Sequence, residues 1–255
     1  MENESNHFSY LPIALFLPTF AAFMKGKYKH LFFDLDHTLW DFERNSEATL
    51  RAVYEHFDLA SRGITSFDDF YKIYCAHNDR MWERFRKGFI KREELRWKRM
   101  WLSLLDCKVA DTALAHEMSR IYLELLPTQT VLMPFAKELL DCCHGRYEMH
   151  LITNGFEATQ GQKLHHSGIA HYFTHIITSE KSNSLKPNKD IFDYALRVSG
   201  AATEHSLMLG DALEVDILGA RNAGWDQVYY NPLRTAHKSS PTYEVHCWSE
   251  LLEKL

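Results

Sequence analysis

The sequence lacks the features that mark three large classes of protein. It has no excess of basic residues, since 29 lysines and arginines stand against 34 acidic residues, and this argues against a surface for nucleic-acid polymers. Its five cysteines are odd in number and include no Cys-x-x-Cys pair, which favours a reduced, cytoplasmic protein whose cysteines serve as packing residues. Its longest apolar stretch, residues 8–24, is interrupted by Pro12 and Pro18 and is too short for a membrane span.

That apolar stretch also lacks the basic flank of a secretory signal. Glu2 and Glu4 precede it, and no lysine or arginine occurs before Lys25. We therefore expect residues 1–24 to form an extension outside the core domain that need not belong to the native protein. A secretory signal is the less favoured alternative.

What is present suits a full-sized globular protein. A chain of 255 residues with 45% hydrophobic residues can bury a core as one large domain or as one domain with an insert. The 15 histidines are scattered without metal-ligand spacing, so we expect them to be surface or satisfied core residues. We expect a monomer or weak dimer with no membrane partner.

Residues 42–126 have a helical period and include no convincing strand. The clearest helix is predicted between Ser66 and Lys87, where large apolar residues recur at steps of three and four. Ser66 is typical of a helix start and Gly88 of a helix end. Two more helices are predicted at 91–105 and 110–126.

After Pro134, short apolar runs alternate with helical segments. Strands are predicted at 147–153, 173–178, 205–209 and 227–230, in addition to a first strand at 28–33. Alternation with short links is typical of a parallel sheet covered on both faces. The sequence thus predicts an α/β fold, a Rossmann-like core of residues 25–41 and 134–255 with an all-helical insert at 42–133.

Two carboxylates follow the first predicted strand directly. Asp34 and Asp36 repel each other, and burial disfavours their charged forms. Such a pair is retained when a divalent cation neutralises it or when chemistry uses it. A solvated acidic turn is the alternative for the pair taken alone.

Polar clusters also follow three later strands, and in an open α/β sheet that edge is where ligands bind. Thr153-Asn154-Gly155 can form a small anion cradle, and Lys186, before a proline, can neutralise a phosphate. Gly210-Asp211 adds a carboxylate, so that several acidic groups at one edge match Mg²⁺. Asp216 can brace the loop or Lys186, and alone it would be read as a helix cap. Taken alone, Thr153-Asn154-Gly155 could be an ordinary turn, and Lys186 could be an exposed loop lysine. Chance occurrence of all four clusters, each after its own strand, is improbable.

In this order, the four clusters resemble the motifs of the haloacid dehalogenase-like hydrolase superfamily from Tyr28 onwards. The insert lies where that superfamily has a helical cap of the C1 type. The segments DLDHTLWDFERNS and GDALEVDILGARNAGW most resemble the bacterial pyrimidine 5′-nucleotidase branch. His37 stands where glycine is usual, and this branch tolerates histidine there.

The resemblance implies a Mg²⁺-dependent phosphatase that forms an aspartyl-phosphate. It implies that Asp34 is the nucleophile and Asp36 the general acid and base. Thr153, Asn154 and Lys186 would bind the phosphate. Asp34 and Asp211 would bind the metal through their side chains and Asp36 through its backbone oxygen, and Asp216 would brace these residues from behind. A dehalogenase would not need a carboxylate at position 36, and a phosphonatase would use a cap lysine.

The cap is expected to set the substrate, and residues 40–45 to form its hinge. Candidate substrate contacts in the cap are Asn78, Trp82, Phe85, Lys91, Arg92 and Arg96, although aromatic residues at helical spacing usually belong to a core. The expected partner is a small phosphorylated metabolite, best a nucleoside 5′-monophosphate. A sugar-phosphatase, a β-phosphoglucomutase-like phosphotransferase and a non-catalytic binding module are the alternatives.

Overall fold

A computed structural model describes residues 26–252, and a six-stranded parallel sheet organises them. The strands are β1 (His30–Phe33), β2 (Glu148–Thr153), β3 (His175–Thr178), β4 (Ser206–Gly210), β5 (Asp226–Tyr230) and β6 (Tyr243–Val245). They lie in the order β3-β2-β1-β4-β5-β6, and each neighbouring pair is parallel. The predicted α/β class is confirmed. The predicted extension at 1–24 lies outside the described residues.

The described part of the chain contains ten α-helices, six that flank the sheet and four that form the insert. They are α1 (Phe42–His56), α2 (Phe67–Arg86), α3 (Arg92–Asp106), α4 (Thr112–Leu125), α5 (Ala136–Cys143), α6 (Glu157–His166), α7 (Ser179–Ser182), α8 (Lys189–Ser199), α9 (Leu218–Asn222) and α10 (Ser249–Leu252). Helix α2 begins as predicted, because the Ser66 hydroxyl accepts a hydrogen bond from the Asp69 backbone amide at 3.2 Å. Within residues 26–252, no helix has both the length and the apolar character needed to cross a membrane.

Two features depart from the predicted elements. Strand β6 has only three residues, too few to show an alternating pattern. Among the helical segments predicted after Pro134, the one that follows β4 is split into a π-helical turn, Leu213–Ile217, and the short α9. The wide turn brings Asp216 back onto the loop, where its carboxylate accepts a hydrogen bond from the Ala212 backbone amide at 3.1 Å.

Side chains of β1 point alternately to two apolar layers. Leu31 and Phe33 belong to a cluster shared with α5, α10 and the helical insert. Phe32 faces the other layer, which includes Phe192 of α8 and Trp225. Because both faces are covered, the ends of the strands are left to carry polar groups.

The insert leaves and rejoins the core through two segments, 39–45 and 131–133, which we call the neck. Their backbones pair: Asp41 donates to the Val131 carbonyl at 3.0 Å, and Met133 donates to the Leu39 carbonyl at 2.9 Å. The Asn45 carboxamide also bonds both the amide and the carbonyl of Val131, at 3.2 and 2.8 Å. The four helices α1–α4 therefore begin and end at one point above the sheet edge.

Candidate active site

The carboxyl end of β1 lies at the centre of the sheet edge, between β2 and β4. Asp34 follows β1 directly, and its backbone amide donates to the Leu209 carbonyl of β4 at 2.9 Å. Thr153 ends β2 and Gly210 ends β4. The strand order reverses direction at β1, and this switch point is where open α/β sheets form ligand crevices.

Lys186 places a buried positive charge at this edge of the sheet. Its side chain is 1% exposed, and its ammonium lies 2.6 Å from Asp34 Oδ1 and 2.7 Å from Asp216 Oδ1. It also donates to the Ile152 carbonyl at 2.7 Å. Burial alone would lower the pKa of Lys186, but the two carboxylates outweigh burial and raise it, so the ammonium stays charged.

The loop that carries Lys186 is fixed by Asn154. The Asn154 carboxamide donates to the Lys186 carbonyl at 2.9 Å and accepts from the Lys186 amide at 2.7 Å. The neighbouring Thr153 hydroxyl is buried and accepts from the Gly155 amide at 3.0 Å. The side chain of Asn154 is thus occupied in holding the lysine loop beside the threonine.

Three carboxylates meet beside this lysine, with ligand oxygens of Asp34, Asp211 and Asp216 within 4.8 Å of one another. Burial, together with the charges of Asp216 and Asp211, raises the pKa of Asp34 to about 8 against the opposing effect of Lys186. Burial and Asp216 raise the pKa of Asp211 to about 7. One ammonium does not balance three carboxylates, so the donor set fits a hard divalent cation such as Mg²⁺.

Thr38 positions Asp211, a role that the sequence reasoning missed. The fully buried Thr38 hydroxyl donates to Asp211 Oδ1 at 2.9 Å and accepts from the Asp211 backbone amide at 3.1 Å. The sequence feature that could have indicated this role is the position of the threonine, two residues after Asp36 in the same loop.

Asp36 is held by two donors of α6 that were also missed. Lys163 lies 2.5 Å from Asp36 Oδ1, and Gln160 donates to Oδ2 at 2.9 Å. Burial raises the pKa of Asp36, but these two donors outweigh it and leave the pKa below its ordinary value. Burial lowers the pKa of Lys163, whose ammonium lies 4.1 Å from the centroid of the Trp40 ring.

A cavity of about 260 Å³ lies between this edge and the insert. Its lining residues are Asp34, Asp36, His37, Phe42, Asn78, Asp79, Trp82, Arg86, Thr153, Asn154 and Gly155. Of the predicted cap contacts, Asn78 and Trp82 line this cavity. The Trp82 ring stacks on Phe156 at 5.7 Å, and the Asn78 carboxamide accepts from Arg99 at 2.8 Å.

The other predicted cap contacts lie elsewhere. Arg92 packs over the Phe156 ring at 4.3 Å and bonds Glu180 of the core. Phe85 packs edge-on against Phe156 at 6.0 Å, Lys91 caps α3, and the Arg96 carbonyl accepts a hydrogen bond from Ser119. None of these four is among the residues that line the cavity.

Residues 28–224 match the model of the haloacid dehalogenase-like hydrolase family. The chain belongs to this family.

Its relatives cover nearly the whole chain. The pyrimidine 5′-nucleotidase PynA of Streptococcus pneumoniae is 32% identical over 89% of this chain and 95% of its own length. The pyrimidine 5′-nucleotidase YjjG of Escherichia coli is 29% identical over 88% of this chain and 93% of its own. Among solved structures, YfnB of Bacillus subtilis, solved bound to magnesium, superposes with a TM-score of 0.79 at 29% identity, covering 89% of this chain and 98% of that one.

In this haloacid dehalogenase-like hydrolase, the predicted motif residues lie together at one edge of the sheet, and Asn78 and Trp82 of the predicted cap residues line the adjoining cavity. Asp34, Lys186 and Asp216 are joined by direct ion pairs, and Asp211 lies within the same carboxylate cluster. Asp36 is held apart from Lys186 by its own donors on α6. The site therefore contains two separate carboxylate–lysine pairs.

Proposed function

We propose that this hydrolase is a Mg²⁺-dependent phosphatase of small phosphomonoesters, with nucleoside 5′-monophosphates as the favoured class. The observation that carries the proposal is the carboxylate of Asp36, which lines the cavity beside Asp34 and is held by Lys163 and Gln160. An alkoxide leaving group needs a proton, whereas a halide does not. A second carboxylate at the reacting centre thus favours phosphate esters.

The first step forms a bond between an Asp34 oxygen and phosphorus and breaks the bond from phosphorus to the ester oxygen. Lys186 holds Asp34 Oδ1 and keeps its charge beside the attacking carboxylate. The departing oxygen receives a proton from Asp36. Because the pKa of Asp36 is low in this geometry, that proton is supplied from Lys163, 2.5 Å away.

In the second step, water attacks the aspartyl-phosphate. Asp36 accepts a proton from this water, and Asp34 leaves as the carboxylate while inorganic phosphate is released. The low pKa of Asp36 suits this step, since the base must be ionised. Asp36 then passes this proton back to Lys163, so that over the cycle one ester and one water give one alcohol and one phosphate.

Asp34 and Asp211 would hold Mg²⁺ through their side chains and Asp36 through its backbone oxygen, while Asp216 braces Lys186. When bound, the cation neutralises charge on the phosphoryl oxygens. Thr153 and the backbone amide of Asn154 would donate to the same oxygens, and Lys186 would place its positive charge beside them. The Asn154 side chain serves the site indirectly, by fixing the loop of Lys186.

The substrate assignment rests on the cavity and on the relatives. Trp82 and Phe42 give the cavity aromatic faces, and Asn78, Asp79 and Arg86 give it polar groups. This mixture suits a base and a sugar better than a purely polar substrate. The relatives PynA and YjjG are both pyrimidine 5′-nucleotidases, so pyrimidine nucleotides are the first substrates to test. We propose that the insert, residues 42–133, acts as a cap over this cavity.

The test is phosphate release, with Mg²⁺, from a panel of pyrimidine and purine 5′-monophosphates, hexose phosphates and an aryl phosphate. Asp34→Asn is the control, and acid quenching during turnover should trap labelled phosphate on the wild-type chain alone. A preference for hexose phosphates would replace the nucleotide assignment, and isomerisation without net release would indicate a phosphotransferase. If no ester is hydrolysed faster by the wild type than by Asp34→Asn, the phosphatase proposal is wrong.

A further inference from the structure

The opposite, amino-terminal edge of the sheet carries a second group of metal-ligating side chains. His30 begins β1, and Glu148 and His150 lie on β2. The parallel register pairs His30 with Glu148 and places His150 two residues further along the same face. We call these three residues the amino-edge cluster. It lies about 13 Å from Asp34, the length of the four-residue strand β1 between them.

The separations within the cluster match a tetrahedral metal site. His30 Nδ1 lies 3.2 Å from His150 Nε2 and 3.6 Å from Glu148 Oε2, and the three ligand atoms lie within 4.8 Å of one another. A tetrahedral ion with bonds of about 2.0–2.1 Å separates neighbouring ligands by roughly 3.3–3.4 Å. The two measured separations bracket this value, so a metal fits with small side-chain movement.

The two imidazoles are already oriented. The fully buried His150 ring packs against Phe32 at 4.6 Å and against His175 at 5.3 Å, which fixes its plane. Burial lowers the pKa of His150 to about 3 and also lowers the pKa of His30, so both rings are neutral, as metal ligation requires. The Glu148 side chain is 61% exposed, so water can reach a fourth position.

We propose that the amino-edge cluster binds a zinc-class divalent ion through His30, Glu148 and His150, with water as the fourth ligand. Two imidazoles and one carboxylate form a donor set that suits zinc, whereas Mg²⁺ prefers oxygen ligands throughout. The site is separate from the carboxylate cluster at the catalytic edge. An ion there joins β1 to β2, the two strands that carry Asp34 and Thr153 at their other ends.

The probe is Co²⁺, a spectroscopic substitute for zinc, added to the full chain with excess Mg²⁺ to fill the catalytic edge. Tetrahedral Co²⁺ gives an intense visible absorption band, whereas an octahedral oxygen site gives a weak one. We expect a saturable tetrahedral band at one equivalent that Zn²⁺ abolishes. Zinc should also raise the melting temperature of the Mg²⁺-loaded protein.

Matched variants locate the site. Glu148→Gln keeps the size of an exposed side chain and removes a ligand charge, and His30→Gln removes an imidazole. Each should weaken Co²⁺ binding by about tenfold or more, since loss of even an outer-shell partner costs 10–100-fold. Glu204→Gln, an exposed change at the same sheet edge, and His116→Gln, an exposed histidine of α4, should leave it unchanged.

The outcomes decide the proposal. Absence of a tetrahedral band in the wild type overturns it. A band of equal strength and affinity in Glu148→Gln, His30→Gln and the two controls shows that the ion binds elsewhere and also overturns it. Glu148→Gln keeps the test valid if His30→Gln fails to fold, because Glu148 is exposed at the end of its strand.

Discussion

Lys163 and Asp36 form an ion pair of 2.5 Å between α6 and the loop after β1. Gln160, three residues earlier on α6, holds the other oxygen of the same carboxylate. Helix α6 begins just after Thr153-Asn154-Gly155, so the helix that follows this loop also fixes the carboxylate two residues from Asp34. The two residues of this pair lie 127 positions apart in the chain.

Removing the ammonium should change the pH dependence of hydrolysis. In Lys163→Met, burial acts on Asp36 without its main opposing charge, so the pKa of Asp36 rises. Because the second step needs Asp36 ionised, the acidic limb of the kcat profile for an aryl phosphate should move to higher pH, and kcat should fall by roughly 10²-fold or more. Lys189→Met, which removes an exposed lysine, is the control. An unchanged profile in Lys163→Met would contradict the role given to this pair.

Thr38 should tune the affinity for Mg²⁺. Thr38→Val removes the hydroxyl that bonds Asp211, which leaves the carboxylate misplaced and raises its pKa. We expect the Mg²⁺ concentration for half-maximal activity to rise by about tenfold or more. Thr38→Ser keeps the hydroxyl and should behave like the wild type. Equal Mg²⁺ dependence of the valine and serine variants would show that the hydroxyl is not needed.

Without metal, stability should fall as pH rises from 6.5 to 8.5. The folded pKa values of Asp34 and Asp211, about 8 and about 7, lie above their ordinary values, so the folded state binds more protons than the unfolded state in this window. The opposite effect of His150, whose pKa is lowered from 6.5 to about 3, fades across this window as the imidazole of the unfolded state loses its proton, so the two carboxylates determine the sign of the slope. Urea unfolding with EDTA measures the slope, and Asp211→Asn should flatten it.

Mg²⁺ should flatten that slope, because it binds the ionised carboxylates in competition with protons. The gain in unfolding free energy on adding Mg²⁺ should therefore be larger at pH 8 than at pH 6.5. At a hundredfold excess over Kd the gain is about 2.7 kcal/mol. A gain that is equal at both pH values would mean that the ion does not bind Asp34 and Asp211.

Gly210 should tolerate no side chain. A Cβ there would lie 2.4 Å from Asp216 Oδ2, and the buried Asp216 has no room to move. Gly210→Ala should displace Asp216 from Lys186 and reduce kcat by roughly 10²-fold. Gly161→Ala is the contrast: its Cβ meets nothing within 4 Å inside α6, so it should raise the unfolding free energy by about 0.5–1 kcal/mol. Wild-type kcat in Gly210→Ala would refute this account.

The sequence predicts the sheet and the main site residues because parallel strands deliver their carboxyl ends to one edge. Asp34, Thr153 and Asp211 needed only a strand boundary to be located, and short apolar runs mark such boundaries well. Lys163 and Gln160 were missed because their role depends on how α6 rotates about its axis. A lysine on a helix is usually solvated, and only tertiary packing shows that this one is 2% exposed.

The amino-edge cluster was beyond the reach of spacing arguments for a related reason. His30 and His150 are 120 residues apart, and only the strand order and register bring their rings together. Tertiary packing also separates the predicted cap contacts. Asn78 and Trp82 line the cavity, whereas Arg92 bonds Glu180 of the core and is not among the lining residues.

The neck would allow the insert to change during evolution without disturbing the core. Since residues 39–45 and 131–133 bond one another, an insert of different length or sequence can enter and leave at the same pair of backbones without shifting Asp34 or Asp36. Evolution can then replace the whole insert, and with it the residues that face the cavity, while the residues at the sheet edge stay in place.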